Sequence, residues 1–298
     1  MTIKHLVGNR AVIFIIGVAL NVAAQASDAV PLTFIDGIPF VTVTVGATSS
    51  RMMIDTGGSL GISIPEITAD KSGSVRLLNE TTKFRDLKGD VYEVKNLVAE
   101  KVGVGNTNLG SVKGRIHVRW GGESPDAELS KARQAGAIDL VAFGNRPVMF
   151  DYRDSKLAIY APGEPRPSGQ QSWQALRLEF GKEGPNVSLV VHGKPLKFVL
   201  DTGATVNLVN PGSLIAAGAQ PQCAETGHDK NCDPRELGTV LDENGRAVGK
   251  LSAERIDLNG APFDGILGAP FFQSYSVLFD YSSDLLLISP FDANGTTL

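Results

Sequence analysis

Cysteine, tryptophan and histidine are scarce in this chain, with two, two and four residues among 298. The two cysteines, Cys223 and Cys232, flank His228, and three candidate ligands without a fourth make a poor structural zinc site. In an oxidising compartment a disulfide closing a small loop is the favoured reading, and a free pair stays open. The other histidines after residue 26, His117 and His192, fall at no metal or triad spacing, so no metal or cofactor is expected. Basic stripes are also missing. Lysine and arginine number 28 against 32 acidic residues, for a net charge of −4, which argues against a nucleic-acid partner. Long apolar runs are absent after the N-terminus. Residues 11–20 are continuously apolar, but even extended to residue 24 the stretch is too short to cross a bilayer comfortably. Lys4 and Arg10 precede it and Ala24-Gln25-Ala26 follows, so residues 1–26 read as a secretory signal removed after Ala26, with an uncleaved anchor as the alternative. No cysteine follows the run, so lipid attachment is not expected there. The expected compartment is a periplasm or the extracellular space, with no membrane contact beyond export. Helix-forming patterns are sparse, the best being residues 126–134.

What the chain has is strand-like segments and an internal repeat. Val41-Thr42-Val43-Thr44-Val45 alternates in the two-residue period of a sheet, and Val187-Ser188-Leu189-Val190-Val191 answers it in the second half. Asp-Thr-Gly occurs at Asp55-Thr56-Gly57 and again at Asp201-Thr202-Gly203, each time ending an apolar run (Met52-Met53-Ile54 and Phe198-Val199-Leu200). At the same offset of 201 − 55 = 146, Val41 falls on Val187, Val45 on Val191 and Pro65 on Pro211. That is an internal duplication.

The halves also close alike. Phe150-Asp151-Tyr152 followed by Leu157-Ala158-Ile159 matches Phe279-Asp280-Tyr281 followed by Leu286-Leu287-Ile288. Ahead of each we align a hydrophobic-hydrophobic-glycine element, Ala142-Phe143-Gly144 and Ile266-Leu267-Gly268. Residues 161–172 are rich in proline and glycine and read as a linker. They divide the mature chain into units 27–160 and 173–298, each with one Asp-Thr-Gly. Two segments read as hairpins: residues 84–92, with Gly89 and Tyr92, and residues 240–248, with the Asn244-Gly245 turn signal. Either could fold over a site as a flap or stand as a plain edge hairpin.

Two carboxylates presented on glycine turns at the ends of buried strands are suited to holding one water between them. An ionised one removes a proton from the water while a protonated one donates to a carbonyl oxygen. Two carboxyls a few ångströms apart cannot easily both ionise, so they share a proton. The glycines let the backbone turn tightly enough to present them.

At this point the chain resembles the aspartic peptidases, the pepsin and retropepsin group. Residues 187–211, VSLVVHGKPLKFVLDTGATVNLVNP, are similar to a retroviral-type unit, and residues 266–281, ILGAPFFQSYSVLFDY, to the family's glycine element, short helix and closing strand. The resemblance implies a mostly β, two-lobed pepsin-like (acid protease) fold built from a duplicated β unit. It implies catalytic Asp55 and Asp201, with Thr56 and Thr202 bonding across the interface and Gly57, Gly203, Gly144 and Gly268 supporting the loops. A polypeptide substrate would lie extended in the inter-lobe cleft, and the chain would act as a monomer because it supplies both aspartates.

Three departures accompany the resemblance. Gly58 and Ala204 stand where pepsins carry a hydroxyl that bonds the carboxylate. Losing that donor raises a carboxyl's pKa, so an optimum less acidic than a gastric enzyme's is expected. The first half's closing element looks short, with 7 positions from Gly144 to Asp151 against 12 from Gly268 to Asp280, so its supporting helix is expected to be missing. Tyr92 is a weak match to the flap tyrosine. The space between Ala26 and the first strand near Val30 leaves no room for a long pro-segment, so the enzyme is expected to be made without an internal inhibitor. The competing function is a non-catalytic peptide-binding protein that retains the cleft. Gly57-Gly58-Ser59-Leu60-Gly61 also fits a serine-hydrolase motif, but that motif needs a following helix, and Ile62-Ser63-Ile64-Pro65 looks extended. Trp120-Gly121-Gly122 reads as a loop turn more than as a cleft wall.

Overall fold

The repeated valine strands set the architecture. In Ile38–Val45 the alternation is obeyed, with Val41, Val43 and Val45 buried and Thr42 and Thr44 exposed. Gly184–Val191 carries the same pattern in the second half. Each is followed by a hairpin partner, Thr48–Ile54 or Lys194–Leu200, whose last three residues are all buried. Consecutive burial means that both faces of these strands are covered. In the first half Met52 and Ile54 face the main core, while Met53 packs with Phe40, Ala137 and Leu129 on the other side.

This computed structural model describes residues 28–86, 89–118, 126–164, 173–218, 236–258 and 260–291. The expected signal (1–26), both cysteines, His228 and Trp120-Gly121-Gly122 lie outside them, as does the linker beyond residue 164.

Three sheets organise the described residues. An eight-stranded sheet drawn from residues 33–138 forms the first lobe, and another drawn from residues 179–267 forms the second. In each, a short strand inserts parallel to the strand that ends at the aspartate. Met53 and Ile54 pair with Ala137 and Ile138, and Val199 and Leu200 pair with Ile266 and Leu267. The third sheet has six strands, three from each half, and its centre pairs Val148–Asp151 with Tyr275–Asp280 antiparallel. Phe150 packs there against Phe272 and Phe279, with ring centroids 6.1 and 5.8 Å apart. The fold is mostly β and two-lobed, as expected.

The helix expected at 126–134 is present as Ala127–Arg133, started by Asp126, whose carboxylate accepts the amides of Glu128 and Leu129 at 2.7 and 3.1 Å. Its buried Leu129 is what covers Met53 beside Asp55. Two further helices, Glu66–Ser72 and Pro211–Ala216, begin at the matched prolines 65 and 211.

The closing element of the first half needs correction. The residues paired like Ile266-Leu267 are Ala137-Ile138, so the partner of Gly268 is Asp139 and not Gly144. From Asp139 to Asp151 and from Gly268 to Asp280 the spacing is the same, 151 − 139 = 280 − 268 = 12. A supporting helix is therefore not missing. It is the 3-10 turn Leu140–Phe143, matching Ala269–Phe272. Gly144 merely ends that turn, at φ 65°, with open space around it.

Candidate active site

Asp55 and Asp201 sit at the exits of the two buried strands, and the pairing with the inserted strands continues through their amides. Asp55 N donates to Ile138 O at 3.0 Å and Asp201 N to Leu267 O at 2.9 Å. The next residues tie the loops together. Thr56 N donates to Thr202 Oγ1 at 3.1 Å, and Thr202 N to Thr56 Oγ1 at 2.9 Å. Each hydroxyl then donates onward, Thr56 Oγ1 to Leu200 O at 2.7 Å and Thr202 Oγ1 to Ile54 O at 2.6 Å. Both threonines are fully buried.

This brace brings the carboxyls of residues 55 and 201 into hydrogen-bonding contact. Gly57 is required by that approach, since a Cβ there would lie 2.7 Å from Asp201 Cγ, and one on Gly203 would lie 3.2 Å from Asp55 Cγ. Both carboxyls are held above the usual carboxylate range, first by burial. For Asp55 the neighbouring Asp201 adds to the rise. Asp201 is pulled back by hydrogen bonds, from Asp55 and from the amides of Gly203 (2.7 Å) and Gly57. The surroundings of the two carboxyls differ, since Asp201 Oδ1 receives the Gly203 amide at 2.7 Å.

Two cavities of about 500 and 540 Å³ open onto both aspartates. Over them lies the hairpin of Val75–Arg85 and Val91–Val104, where Phe84 pairs with Tyr92. Phe84 and Arg85 line both cavities. The Phe84 ring stacks on Tyr92 with centroids 5.1 Å apart and carries the Arg115 guanidinium 4.0 Å from its centre. Tyr92 itself supports the tip, its hydroxyl donating to Asp86 Oδ2 at 3.2 Å, and Gly89 N donates to Asp86 O. Leu87 and Lys88 lie outside the described residues.

Asn244 and Gly245 are not brought to the site. Their hairpin, Glu236–Leu241 with Ala247–Ser252, matches the tail of Val91–Val104 and its partner Thr107–Ile116, since Leu241 pairs with Val190 as Gly103 pairs with Thr44. Its turn is tied to the six-stranded sheet, where Gln174 Nε2 donates to Asp242 Oδ2 at 2.8 Å. Gly268 lies beneath the second loop, its amide donating to Asn207 Oδ1 at 2.8 Å. The serine of Gly57-Gly58-Ser59-Leu60-Gly61 is followed by strand Ile62–Ile64 and not by a helix.

Three charged residues at the site were not foreseen. Arg133, at the end of the inserted helix, crosses to the second loop and donates from Nη2 to Gly203 O at 2.9 Å. Arg115 and Arg133 both draw the Asp55 carboxyl back down. Nothing local in the sequence marks either arginine. Asp139 is buried behind the first loop, and the match of residues 150–152 to 279–281, run back without a gap, places it opposite Gly268. His117 is structural, with Nδ1 3.1 Å from Ser63 Oγ. Burial, then Arg115, pushes it down to about 4, so it is neutral near pH 7. Among the described residues no group of three or more His, Cys, Asp or Glu side chains is placed to hold a metal ion.

No family model matches the sequence, and no curated protein does. Solved structures do match. One, the crystal structure of aspartic proteinase from Irpex lacteus, covers 91% of this chain and all of its own at 14% identity and a TM-score of 0.56. At that identity the likeness speaks for the fold: this chain has the two-lobed, mostly β architecture of the pepsin-like aspartic proteinases.

Proposed function

We propose that the chain is an exported aspartic endopeptidase that cleaves peptide bonds with a water activated between Asp55 and Asp201. The observation that carries the reading is the reciprocal threonine brace, which holds two half-buried carboxyls together at the floor of an open cleft. Two carboxyls so placed share one proton, the behaviour for which aspartic-proteinase pairs are known. Asp201, receiving amide hydrogens from Gly203 and Gly57, is the ionised partner and takes the proton from water. Asp55 keeps the shared proton and delivers it to the carbonyl oxygen of the scissile bond. The titration belongs to the pair. A polypeptide would lie extended under the Phe84 hairpin, and one chain suffices because it provides both acids.

A non-catalytic peptide binder was suggested by an abbreviated first lobe. The equal 12-position spacing after Asp139 and Gly268 removes that motive. The test is incubation of the mature chain with a mixed peptide library from pH 3 to 8, with and without a statine-type inhibitor. Inhibitor-sensitive cuts are expected, reduced at least about 10²-fold in Asp55→Asn and Asp201→Asn. Intact peptides at every pH, with binding retained, would replace the peptidase reading with the binding one.

A further inference from the structure

The two lobes fasten their catalytic-type loops with opposite chemistry. In the second lobe the polar side chain is on the loop, where Asn207 Oδ1 accepts the Gly268 amide at 2.8 Å and Asn207 Nδ2 donates to Ser252 O. In the first lobe the residue matching Asn207 is Gly61, and the one matching Gly268 is Asp139. The bond is kept with its ends exchanged. Asp139 Oδ2 accepts the amides of Leu60 and Gly61, both at 2.7 Å, and Oδ1 accepts that of Val141 at 2.8 Å. Three N–H donors converging on both oxygens suit a carboxylate. An amide would turn its NH2 against one set of them.

This exchange places a buried carboxyl behind the loop that carries Asp55, and it explains Gly58. A Cβ at residue 58 would lie 2.9 Å from Asp139 Cβ and 3.0 Å from Oδ2, so Asp139 occupies the room a hydroxyl-bearing residue would need. The carboxyl is buried, 7% exposed. Burial pushes its proton affinity up, the three amides pull it back, and the charge of Asp55 pushes it up again.

We propose that Asp139 is a positioning residue that keeps the proton on Asp55: an ionised third carboxylate, fixed by three backbone amides behind residues 57–61, opposes ionisation of the dyad. Other charged and titratable groups face this corner, with Lys83 and Arg85 of the hairpin and Lys182 and Glu183 of the second half lining the cavity that both carboxyls share. Asp201 repels from the second loop, and Arg115 and Arg133 attract from their strand and helix. Arg115 interacts with both Asp55 and Asp139 and so couples them. Neutral His117 adjoins Arg115, and the phenol of Tyr281 faces Asp139 with its proton held tightly. Repulsion between Asp139 and Asp55 opposes the two arginines, both of which favour the ionised Asp55.

The inference deepens the peptidase reading, and its test has a readout that does not need turnover: ¹³C NMR titration of the aspartate carboxyls, run beside the pH-rate profile for a cleaved peptide. In Asp139→Asn, and in Asp139→Gly, which installs the residue the second lobe uses, the Asp55 carboxyl should titrate about 0.5–1 pH unit lower. The basic limb of the rate profile should move with it. An Asp55 titration unmoved in a folded variant overturns the proposal, whatever the change in rate. Should neither variant fold, the wild-type chain decides. Asp139 must be ionised at pH 6 while Asp55 still holds its proton, and a protonated Asp139 there overturns it equally. A chain that cleaves nothing yet shows the shift fails as a peptidase while this inference stands.

Discussion

Thr56 and Thr202, 146 positions apart, exchange hydroxyl and amide in a closed pair of hydrogen bonds at 3.1 and 2.9 Å. The brace makes the approach of the two carboxyls a property of the backbone and not of side-chain rotamers. Thr202→Val keeps the shape and removes the hydroxyl, leaving the Thr56 amide and the Ile54 carbonyl unpaired inside the protein. Each orphaned group costs about 1–3 kcal/mol, and at this chain length each kcal/mol lowers Tm by roughly 2–4 °C. Calorimetry should show that loss together with a fall in kcat. A variant as stable as the wild type would show that the brace does not hold the two loops together.

Asp55→Asn should do the opposite to stability at neutral pH. The Asp55 carboxyl lies above its ordinary value of 3.8 in the folded chain, first through burial and then through Asp201. From about 3.8 upward the unfolded chain releases a proton that the native chain retains, so native stability is full at low pH and drains away as pH rises through the elevated range. Asparagine has no proton to lose. Its stability should exceed that of the wild type by about 1–3 kcal/mol at pH 8, with the gap closing by pH 4. Equal denaturant midpoints at both pH values would show that the dyad is not strained by its charge.

Much of this was legible because it is local. The apolar runs ending at Asp55 and Asp201, the alternation of Val41–Val45 and the start of the helix at Asp126 each follow from neighbours within a few positions. The register of the closing element was misread because it was matched on a glycine, and the first lobe has put a carboxylate, Asp139, in that glycine's place. Asn244-Gly245 gave a true hairpin signal, but which face the hairpin joins is set by the pairing of Leu241 with Val190, some 50 residues away. Arg115 and Arg133 reach the dyad only through tertiary packing, so no nearby pattern announces them.

Phe84 is the residue through which the hairpin meets the cleft. Its ring is clamped between Tyr92 and the Arg115 guanidinium, and the surrounding strand is largely exposed. Phe84→Ala therefore removes cleft wall more than core. KM for a peptide substrate should rise about tenfold, the effect of 1.4 kcal/mol of lost contact, with Tm changed by only a few degrees. A large loss of stability with KM unchanged would assign the stack to folding and not to substrate.

His117 sets the acid side of the stability curve, with a sign opposite to that of the dyad. Partial burial, and then the neighbouring Arg115, lowers its pKa from 6.5 to about 4 and keeps the ring neutral in the folded chain. Between those values the unfolded chain takes up a proton that the native chain refuses. Stability is therefore full above pH 6.5 and declines as pH falls toward 4. One such group accounts for about 2–3 kcal/mol. His117→Gln, which keeps a hydrogen-bonding partner for Ser63 without the titration, should flatten that decline and leave the alkaline side as it was. Between about 4 and 6.5 the slope from Asp55 and the slope from His117 oppose each other, so these two groups leave the wild-type curve nearly flat there and falling above pH 6.5. A His117→Gln curve with the same shape as the wild type below pH 6 would assign the acid limb to other groups.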